Sequence, residues 1–461
     1  MKATKIIATL GPASEQEETI EELIRAGVDV FRLNASHANH EYMQELITKI
    51  RAINPTIAIM LDTKGPEIRT REEKTFSKGE IITLTNNEQE GFYIGYEHLG
   101  QLKKGNKILI DDGLVELEVT KQLEATALTD ATIGAKKTVT IKGHNVQIPF
   151  LSAQDKKDID FAIEQKIDFI AASFVRTKEE VEELKEYLAQ KQSPIRVIAK
   201  IEHEQAINNI DKIIKASQGI MVARGDLGVE LPLEQVPKIQ ATIIKKCNEL
   251  GRPVIVATQM LESMTTNPRP TRAEVGDVAT AILQGADAVM LSAETAAGKH
   301  PLRAVQAMTQ IAKTYEHEQE PEISDDYYCS EYYEKRATSL FVTRAAALAA
   351  KRLKTAAIIT PTESGYTARK VSRFKPRTKI VAITSHEHVA RQLRLTWGVI
   401  PLINKAIHKD LDEMIKQSIK QAHQEGLVKE EDKVVITAGH QLAKSKLTNN
   451  LHVLRVRSAL E

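Results

Sequence analysis

Eight short apolar segments recur along the first 294 residues, and they constrain the fold more than any other feature of the chain. Each is rich in β-branched or small apolar residues and is followed by a polar cluster and then by a helical pattern. Near-continuous apolar runs are typical of parallel strands that are covered on both faces. Eight strand–helix units therefore predict a (β/α)8 barrel. The segments are 5–11, 28–36, 58–65, 168–174, 196–202, 219–227, 253–260 and 288–294.

The spacing of these units is interrupted once, after the third segment. The inserted residues carry short alternating strand patterns separated by Gly and Asn, which predicts a small β-barrel lid domain. After an acidic, Tyr-rich linker a second strand–helix alternation begins, which predicts a C-terminal open-sheet α/β domain. Ser152-x-x-Asp155 and Thr271-x-x-Glu274 predict capping boxes at two helix starts. The predicted domains are the barrel at 1–66 and 149–322, the lid at 67–148 and the C-terminal domain at 323–461.

The composition is that of a soluble globular protein with more than one core. Its 461 residues are 42% hydrophobic and 27% charged. A formal net charge of +1 gives no field that favours nucleic acid or an anionic membrane. The two cysteines, Cys247 and Cys329, predict neither a disulfide framework nor a metal site, and they fit a reducing cytoplasm. No apolar run reaches about 18 residues, so we expect neither export nor a membrane span.

Polar residues gather where the predicted barrel strands end, and barrel active sites lie at the carboxyl ends of the strands. Any one of them alone could be a turn residue or a helix cap. Because the pattern repeats at seven strand ends, we predict a ring of functional polar groups at the mouth of the barrel. Its members are Arg32, Asn34, Ser36, Asp62, Lys64, Ser173, Lys200, Glu202, Arg224, Asp226, Thr258, Ser292 and Glu294.

The ring contains the groups that phosphoryl transfer needs. The carboxylates Glu202 and Asp226 follow neighbouring strands and suit a hard cation such as Mg²⁺, which binds few carboxylates and shares phosphate oxygens. Lys200 and Arg32 would add positive charge at the same point, where the transferring group spreads negative charge over its oxygens. A second group has only oxygen ligands and one formal charge, which suits a monovalent cation; it comprises Asn34, Ser36 and Asp62.

Several motifs resemble the pyruvate kinase family, in order and over the whole chain. They are "TKIIATLGPAS", "FRLNASH", "LDTKGPEIR", "AKIE", "MVARGDLGVE", "ATQMLESM" and the long motif at 267–295. The resemblance implies transfer of the phosphoryl group of phosphoenolpyruvate to ADP, giving ATP, and protonation of the enolate to give pyruvate. It also implies that Mg²⁺ or Mn²⁺ and K⁺ are required, and that the protein is a homotetramer.

The resemblance implies a role for each matching residue. Glu202 and Asp226 would hold the divalent cation. Gly225 lacks a Cβ, so the substrate carboxylate could approach its backbone closely. The residues around phosphoenolpyruvate would be Arg32, Lys200, Gly225, Asp226 and Thr258. Those around potassium would be Asn34, Ser36, Asp62 and Thr63. Those placing ADP would be Pro12, Asn34, His37 and Arg69.

Two features of the reaction are less directly implied. The enolate could receive its proton from Lys200, or from Thr258 through water and Ser292; we favour Thr258 because the phosphoryl group would hold the charge of Lys200. Relatives that need potassium carry Glu at the position of Glu67, and a lysine there replaces the cation in the others. We therefore expect potassium dependence.

The C-terminal segment "TPTESGYTARK" resembles the effector phosphate loop of the family. The hydroxyls of Thr362, Ser364 and Thr367 and the start of a helix suit a phosphate group. Glu363 argues against a bisphosphate, so a sugar monophosphate or AMP is the expected effector. A hydroxyl-rich helix cap without a ligand is the alternative.

Two other functions remain open from the sequence. Lyases and mutases on the same barrel also stabilise enolates with Mg²⁺, but they need neither ADP nor a lid. A non-catalytic homologue with a regulatory or scaffold role would be expected to lose Lys200, Glu202 or Asp226, and this chain keeps all three.

Overall fold

The computed structural model of the protein describes residues 2–87, 91–144, 146–318, 337–406, 410–439 and 448–461. Most of the acidic linker, including Cys329, lies outside these residues, as does most of the last loop, 439–450. Over the described ranges, no helix has both the length and the apolar character needed to cross a membrane.

Eight parallel strands close into a barrel, so the prediction from the eight apolar segments is confirmed. Their order around the barrel is β1-β17-β16-β15-β14-β13-β3-β2. The strands are β1 (Lys5–Thr9), β2 (Val30–Asn34), β3 (Ala58–Asp62), β13 (Phe169–Ala172), β14 (Arg196–Ile201), β15 (Gly219–Ala223), β16 (Val254–Ala257) and β17 (Ala288–Leu291).

The barrel strands are buried on both faces, which explains their continuous apolar character. One set of side chains fills the interior, and Leu395 of the C-terminal domain joins that cluster. The opposite set packs under the surrounding helices. These are α1 (Glu17–Ala26), α2 (His40–Ile53), α3 (Ala153–Glu164), α4 (Lys178–Gln190), α5 (Glu204–Asn208), α6 (Ile210–Ala216), α7 (Arg224–Glu230), α8 (Val236–Leu250), α9 (Arg272–Leu283), α10 (Ala293–Ala296) and α11 (Pro301–Tyr315). Both predicted capping boxes are present, at the starts of α3 and α9.

The lid is a β structure around its own core, inserted between β3 and β13. Its described strands form a seven-stranded sheet, β4-β12-β8-β9-β10-β6-β7, and a two-stranded ribbon, β11-β5. An antiparallel bridge between Thr70 and Ile94 joins the two edges of the sheet, as expected for a small barrel. The strands are β4 (Ile68–Arg69), β5 (Lys74–Phe76), β6 (Ile81–Thr85), β7 (Phe92–Tyr93), β8 (Lys107–Ile110), β9 (Val115–Lys121), β10 (Glu124–Ala127), β11 (Ala131–Ile133) and β12 (Thr138–Lys142).

Two buried side chains tie the lid connections to the barrel. Asp155 accepts hydrogen bonds from the Gly65 N–H (3.0 Å), where the chain enters the lid, and from the Ser152 hydroxyl (2.5 Å), where it has returned. Arg176 donates to the carbonyls of Val146 (3.0 Å) and Ile148 (2.9 Å) on the returning segment. The lid is therefore fixed at both connections by charged groups at the ends of barrel elements.

The C-terminal domain is an open sheet in the order β20-β19-β18-β21-β22, with β22 antiparallel at one edge. Apolar clusters cover both of its faces. Its strands are β18 (Ala357–Pro361), β19 (Lys379–Thr384), β20 (Val399–Ile403), β21 (Lys433–Ala438) and β22 (Asn450–Arg455). Its described helices are α12 (Ala337–Leu353), α13 (Tyr366–Ser372), α14 (Glu387–Leu393), α15 (Leu411–Gln424) and α16 (Arg457–Leu460).

This domain docks against the amino ends of the barrel strands, on the face opposite the mouth. Asp168, just before β13, is fully buried and bonds Arg391 of α14 (2.7 Å) and Arg51 of α2 (3.1 Å). Asp287, just before β17, pairs with Lys375 (2.6 Å). Because removal of one partner from a buried pair costs about 3–5 kcal/mol, these contacts fix the domain to the barrel.

Candidate active site

A buried network of charges occupies the mouth of the barrel, where β2, β3, β13 and β14 end. Lys200 Nζ lies 3.0 Å from Asp62 Oδ1, 2.9 Å from Glu202 Oε1 and 2.7 Å from Ser173 Oγ. The other oxygen of Asp62 accepts a hydrogen bond from Arg32 Nε at 2.7 Å. The structure therefore brings together five members of the predicted ring, with Ser173 as the bridge between Lys200 and Asp62.

The charges in this network determine its protonation. Burial opposes ionisation of Asp62, but the charges of Arg32 and Lys200 outweigh it and hold the Asp62 pKa below its ordinary value. Burial alone would lower the Lys200 pKa, yet Asp62 and Glu202 raise it above its ordinary value. Burial raises the pKa of Glu202 to about 7, with the charge of Asp226 adding to the rise and that of Lys200 opposing it. Lys200 is thus a cation at neutral pH.

Glu202 and Asp226 are neighbours at the ends of β14 and β15. The second oxygen of Glu202 accepts the N–H of Phe174 at 2.7 Å. Burial also raises the pKa of Asp226; the charge of Lys200 opposes this rise and that of Asp112 adds to it. Across the described ranges, no group of three or more His, Cys, Asp and Glu side chains is gathered as a metal site. Two carboxylates with room for substrate oxygens fit a divalent cation that completes its coordination from its ligands.

Asp226 and Gly225 lie in the first turn of α7, directly after β15. Neither Gly225 nor Gly228 has a positive φ, so these glycines do not form a left-handed turn. The Gly225 N–H donates to Thr258 Oγ1 (2.8 Å), and this hydroxyl donates to the Ala257 carbonyl (2.6 Å). A Cβ on Gly225 would lie 3.5 Å from Thr258 Oγ1, an ordinary contact. The packing of the protein itself therefore does not demand glycine here.

Arg224 does not face the reacting groups, although it belongs to the predicted ring. Its guanidinium pairs with Asp277 of α9 at 2.6 Å and donates to the carbonyls of Thr258 (2.8 Å) and Gln259 (3.2 Å). Thr258 and Gln259 have φ values of 67° and 53°, a left-handed conformation that is costly for a β-branched residue. Arg224 is therefore the side chain that holds the strained turn carrying Thr258. Sequence reasoning missed Asp277, because nothing in its helical pattern distinguishes it.

The predicted potassium ligands lie on adjoining strand ends. Asn34 is paired with Asp62 in the register of β2 and β3. The Asn34 side-chain oxygen accepts the exposed Ser36 N–H at 3.1 Å. Thr63 is buried, and its carbonyl accepts the Ser173 hydroxyl at 2.7 Å. The candidate ligand atoms are all oxygens, which is the chemistry that a monovalent cation requires. Both Asp62 oxygens already have protein partners.

The predicted nucleotide-binding residues lie on the rim of the mouth. Pro12 and His37 are exposed after β1 and β2. Arg69 pairs with Glu67 at 2.7 Å and donates to the Lys136 carbonyl of the lid at 2.8 Å. The charge of Glu67 is thus balanced by Arg69 and is not left unpaired at the hinge.

The predicted proton relay is only partly assembled. Ser292 immediately precedes α10, and its N–H donates to Glu294 at 2.7 Å. Glu294 also accepts the Leu261 N–H at 3.1 Å, so this buried carboxylate joins the Ser292 and Thr258 turns. Among the described contacts there is no hydrogen bond between the hydroxyls of Thr258 and Ser292, so a relay between them requires water.

The predicted effector residues differ in exposure. Thr362 is half-buried and Ser364 is exposed, at the end of β18. Thr367 is buried, and its hydroxyl shares a hydrogen bond with that of Thr448 at 2.8 Å. The Thr367 side chain therefore packs beneath the loop and stabilises it through its hydrogen bond to Thr448.

A cleft lies between the lid and the barrel mouth and opens onto the carboxylate pair. Lid residues of β12 form one wall, together with Asp112. Glu202, Asp226, Phe174 and Arg176 are on the barrel side. Both domains thus form this cleft. The hydrogen bonds of Asp155 and Arg176 at the lid connections hold its two sides together.

Comparisons with known proteins assign this fold and site to one family. A family profile described as pyruvate kinase, barrel domain, matches residues 1–305, and one described as pyruvate kinase, alpha/beta domain, matches residues 341–454. Pyruvate kinases of Staphylococcus aureus strains MRSA252 and USA300 are 42% identical to the chain over 474 aligned residues, covering 98% of this chain and 80% of theirs. The crystal structure of a pyruvate kinase from Cryptosporidium parvum superposes with a TM-score of 0.89 at 34% identity, over 99% of this chain and 96% of the other.

These matches include the lid and the C-terminal domain, which an enolate lyase or mutase would not share. The chain therefore belongs to the pyruvate kinase family, and it transfers the phosphoryl group of phosphoenolpyruvate to ADP to give pyruvate and ATP, the last step of glycolysis.

Proposed function

We propose that the charge network around Lys200 is the place where the phosphoryl group is transferred. The observation that carries this proposal is the convergence of Lys200 Nζ on Asp62 (3.0 Å) and on Glu202 (2.9 Å), which lines the cleft. A phosphoryl group entering there would meet a lysine that is fully charged and already fixed in position. Preorganised charge of this kind stabilises a transition state without reorganisation during the reaction.

Pyruvate kinases need a divalent and a monovalent cation. We propose Glu202 and Asp226 as the protein ligands of the divalent one, Mg²⁺ or Mn²⁺, which when bound supplies positive charge to the phosphoryl oxygens. Glu202 would then interact with the cation as well as with Lys200. Lys200 Nζ would therefore be free to donate a hydrogen bond to the phosphoryl group. Arg32 would contact the same group from the neighbouring strand, still held by Asp62.

We propose that the carboxylate of phosphoenolpyruvate binds at the start of α7, against Gly225, Asp226 and Thr258. The Gly225 N–H is bonded to Thr258 Oγ1 in this structure, so the substrate would take over one or both partners of that bond. Thr258 would then be close to the enolate carbon, and we propose it as the proton donor, supplied through water from Ser292.

The predicted domain limits, the location and the assembly are likewise our proposals. The lid limits are supported by β4, which begins at Ile68, and β12, which ends at Lys142; limited proteolysis at the two connections tests them. The glycolytic reaction supports a cytoplasmic location, which cell fractionation tests.

We propose a homotetramer that uses the outer face of the C-terminal domain. Leu348 of α12 is 53% exposed and Val453 of the edge strand β22 is 39% exposed. An apolar helix face beside a strand edge that has no partner strand among the described residues is suited to a second copy of the chain. Sedimentation of Leu348→Glu should show smaller species than the wild type, and an unchanged assembly would contradict this interface.

We propose the loop after β18 as an effector site for a phosphate monoester, such as a sugar monophosphate or AMP. The exposure of Ser364 and partial exposure of Thr362 support it. Pyruvate formation at low phosphoenolpyruvate should respond to one of these compounds in the wild type and not in Thr362→Val.

The first test concerns the divalent cation. Asp226→Asn should lower kcat by about a hundredfold or more, because one of the two negative ligands is lost, while the fold is retained. Pyruvate formation with ADP at saturating Mg²⁺ measures it. Asp211→Asn, on the exposed surface of α6, is the matched control. Wild-type turnover in a folded Asp226→Asn protein would contradict the assignment.

The second test separates phosphoryl transfer from protonation. Lys200→Met should abolish ATP-coupled turnover but retain exchange of the pyruvate methyl protons with solvent, which NMR follows directly. Thr258→Ala should lose that exchange. Equal loss of exchange in both variants would make Lys200 the proton donor.

The third test concerns Arg224 as a positioning residue. Arg224→Lys keeps the positive charge, but a lysine cannot bond Asp277 and the carbonyls of Thr258 and Gln259 at the same time. The strained Thr258 turn should relax and kcat/KM for phosphoenolpyruvate should fall about tenfold, equivalent to about 1.4 kcal/mol. KM for ADP should stay unchanged, as it should in the control Arg25→Lys. A fall in melting temperature with no selective effect on phosphoenolpyruvate would indicate a structural role alone.

The fourth test concerns potassium. Activity should rise many-fold when tetramethylammonium is replaced by potassium at constant ionic strength. Glu67→Lys should reduce this dependence, because it adds a fixed positive charge at the hinge. Glu67→Gln is the control, since it also removes the partner of Arg69 but adds no cation. Equal rates in both salts would refute the site formed by Asn34, Ser36, Asp62 and Thr63.

A further inference from the structure

Three arginines from separate parts of the chain meet where the C-terminal domain docks on the barrel. We call Arg196, Arg252 and Arg369 the arginine cluster. Arg196 begins β14, Arg252 lies just before β16, and Arg369 lies in α13. The first two belong to the barrel and the third to the C-terminal domain, on the face opposite the catalytic mouth.

The geometry draws these cations together. The Nη2 atoms of Arg196 and Arg369 donate to the same oxygen, the Ser364 carbonyl, at 3.1 and 2.9 Å. The two guanidinium groups therefore lie within two hydrogen-bond lengths of each other. Arg252 lines a cavity together with Arg369, and its charge acts on both of the others.

Among the residues that the structure describes, no carboxylate balances the arginine cluster. Within the described part of the chain, none of its three members forms an ion pair, and the charges acting on Arg196 are those of arginine alone. Asp287 lines the same cavity, but its side chain is bonded to Lys375 (2.6 Å) and to the Val254 N–H (2.9 Å). Its charge is thus already matched by a lysine.

Burying three arginine charges close together costs free energy unless an anion offsets them. Burial together with the charge of Arg252 lowers the pKa of Arg196 to about 10, and burial with the charges of Arg196 and Arg252 lowers the pKa of Arg369 well below its ordinary value. Arg252 Nε and Thr396 Oγ1, which belong to residues of the cavity, are buried and have no hydrogen-bond partner among the described residues. Unmet polar groups and uncompensated charge of one sign are together unusual in a native interior.

We propose that the arginine cluster binds a phosphate dianion, either inorganic phosphate or the phosphate group of a phosphorylated metabolite. Planar guanidinium groups match phosphate oxygens in paired hydrogen bonds, and a dianion would offset more of the cluster's charge than a carboxylate would. The bonds of Arg196 and Arg252 to backbone carbonyls lie at the exposed rim, so the anion can enter from solvent. Bound there, it joins the barrel to the C-terminal domain.

This site differs from the effector loop proposed above. The loop would use the hydroxyls of Thr362 and Ser364, whereas the arginine cluster faces the Ser364 carbonyl and takes Arg196 and Arg252 from the barrel. Variants of the barrel arginines therefore separate the two sites, and the failure of either proposal leaves the other standing.

Thermal unfolding of the full-length protein tests the proposal in phosphate and in chloride at equal ionic strength. Phosphate should raise the melting temperature of the wild type. Arg369→Gln should raise the melting temperature in phosphate-free buffer, because like-charge repulsion is removed, and should abolish the increment due to phosphate. If Arg369 had a structural role alone, Arg369→Gln would instead lower the melting temperature in phosphate-free buffer. Arg455→Gln, whose side chain is 60% exposed, is the control and should leave both values unchanged.

Calorimetric titration identifies the source of the anion. Arg252→Gln should weaken binding of inorganic phosphate by about tenfold. Equal affinities for inorganic phosphate, ribose 5-phosphate and AMP support a site for the free anion, and tighter binding of an ester supports a metabolite. Absence of any phosphate-dependent stabilisation, or binding that survives in Arg252→Gln but is lost in Thr362→Val, would overturn the proposal.

Discussion

The balance of buried charge at the carboxyl ends of the barrel strands is the constraint on which the site depends. Asp62 is almost fully buried and holds Arg32, Lys200 and Ser173 at once. Desolvation of such a group is costly, and only a complete set of partners offsets it. Asp62 therefore fixes both cations before any substrate arrives. Glu202 balances Lys200, and Asp226 is left as the surplus negative charge, which favours a cation at that point.

The same few residues connect this charge network to the lid. Phe174 donates its N–H to Glu202, and it does so from a left-handed conformation with φ of 55°. Gly65 packs against this turn so closely that a Cβ would lie 2.8 Å from the Ser173 side chain. Two residues further on, Arg176 holds the segment that returns from the lid. A change in lid position would therefore act directly on the turn that orients Glu202.

The sequence predicted the barrel because eight buried parallel strands leave a strong, local signal of apolar runs. It also predicted which strand ends carry polar groups, since position along a strand fixes the end at which a residue lies. Side-chain direction was harder to predict. Arg224 belongs to the polar ring by position, but it turns to Asp277, some 50 residues later in the chain. The left-handed turn at Thr258 runs against the preference of a β-branched residue, so tertiary contacts alone determine it.

Thr367 illustrates a similar limit in the C-terminal domain. Its place in a hydroxyl-rich loop predicts contact with a ligand, whereas its burial depends on Thr448, which arrives from the far end of the chain. The arginine cluster could not be predicted at all, because its members lie in unrelated motifs and meet only when the two domains dock. Long-range pairing of this kind has no local signature.

The strand β14 carries Arg196 at its first position and Lys200 near its last, so one strand reaches from the arginine cluster to the catalytic network. It is hydrogen-bonded to β13 on one side and β15 on the other, and four of its six residues are buried. A strand held in this way cannot slide or stretch to transmit a signal, because packed interiors resist small displacements. An anion at Arg196 would act through the contact between domains, since it draws Arg369 and the C-terminal domain toward the barrel. The effect on Lys200 would then depend on whether the two domains have two alternative docked arrangements, because coupling between distant sites requires an element with two states that both ligands bias.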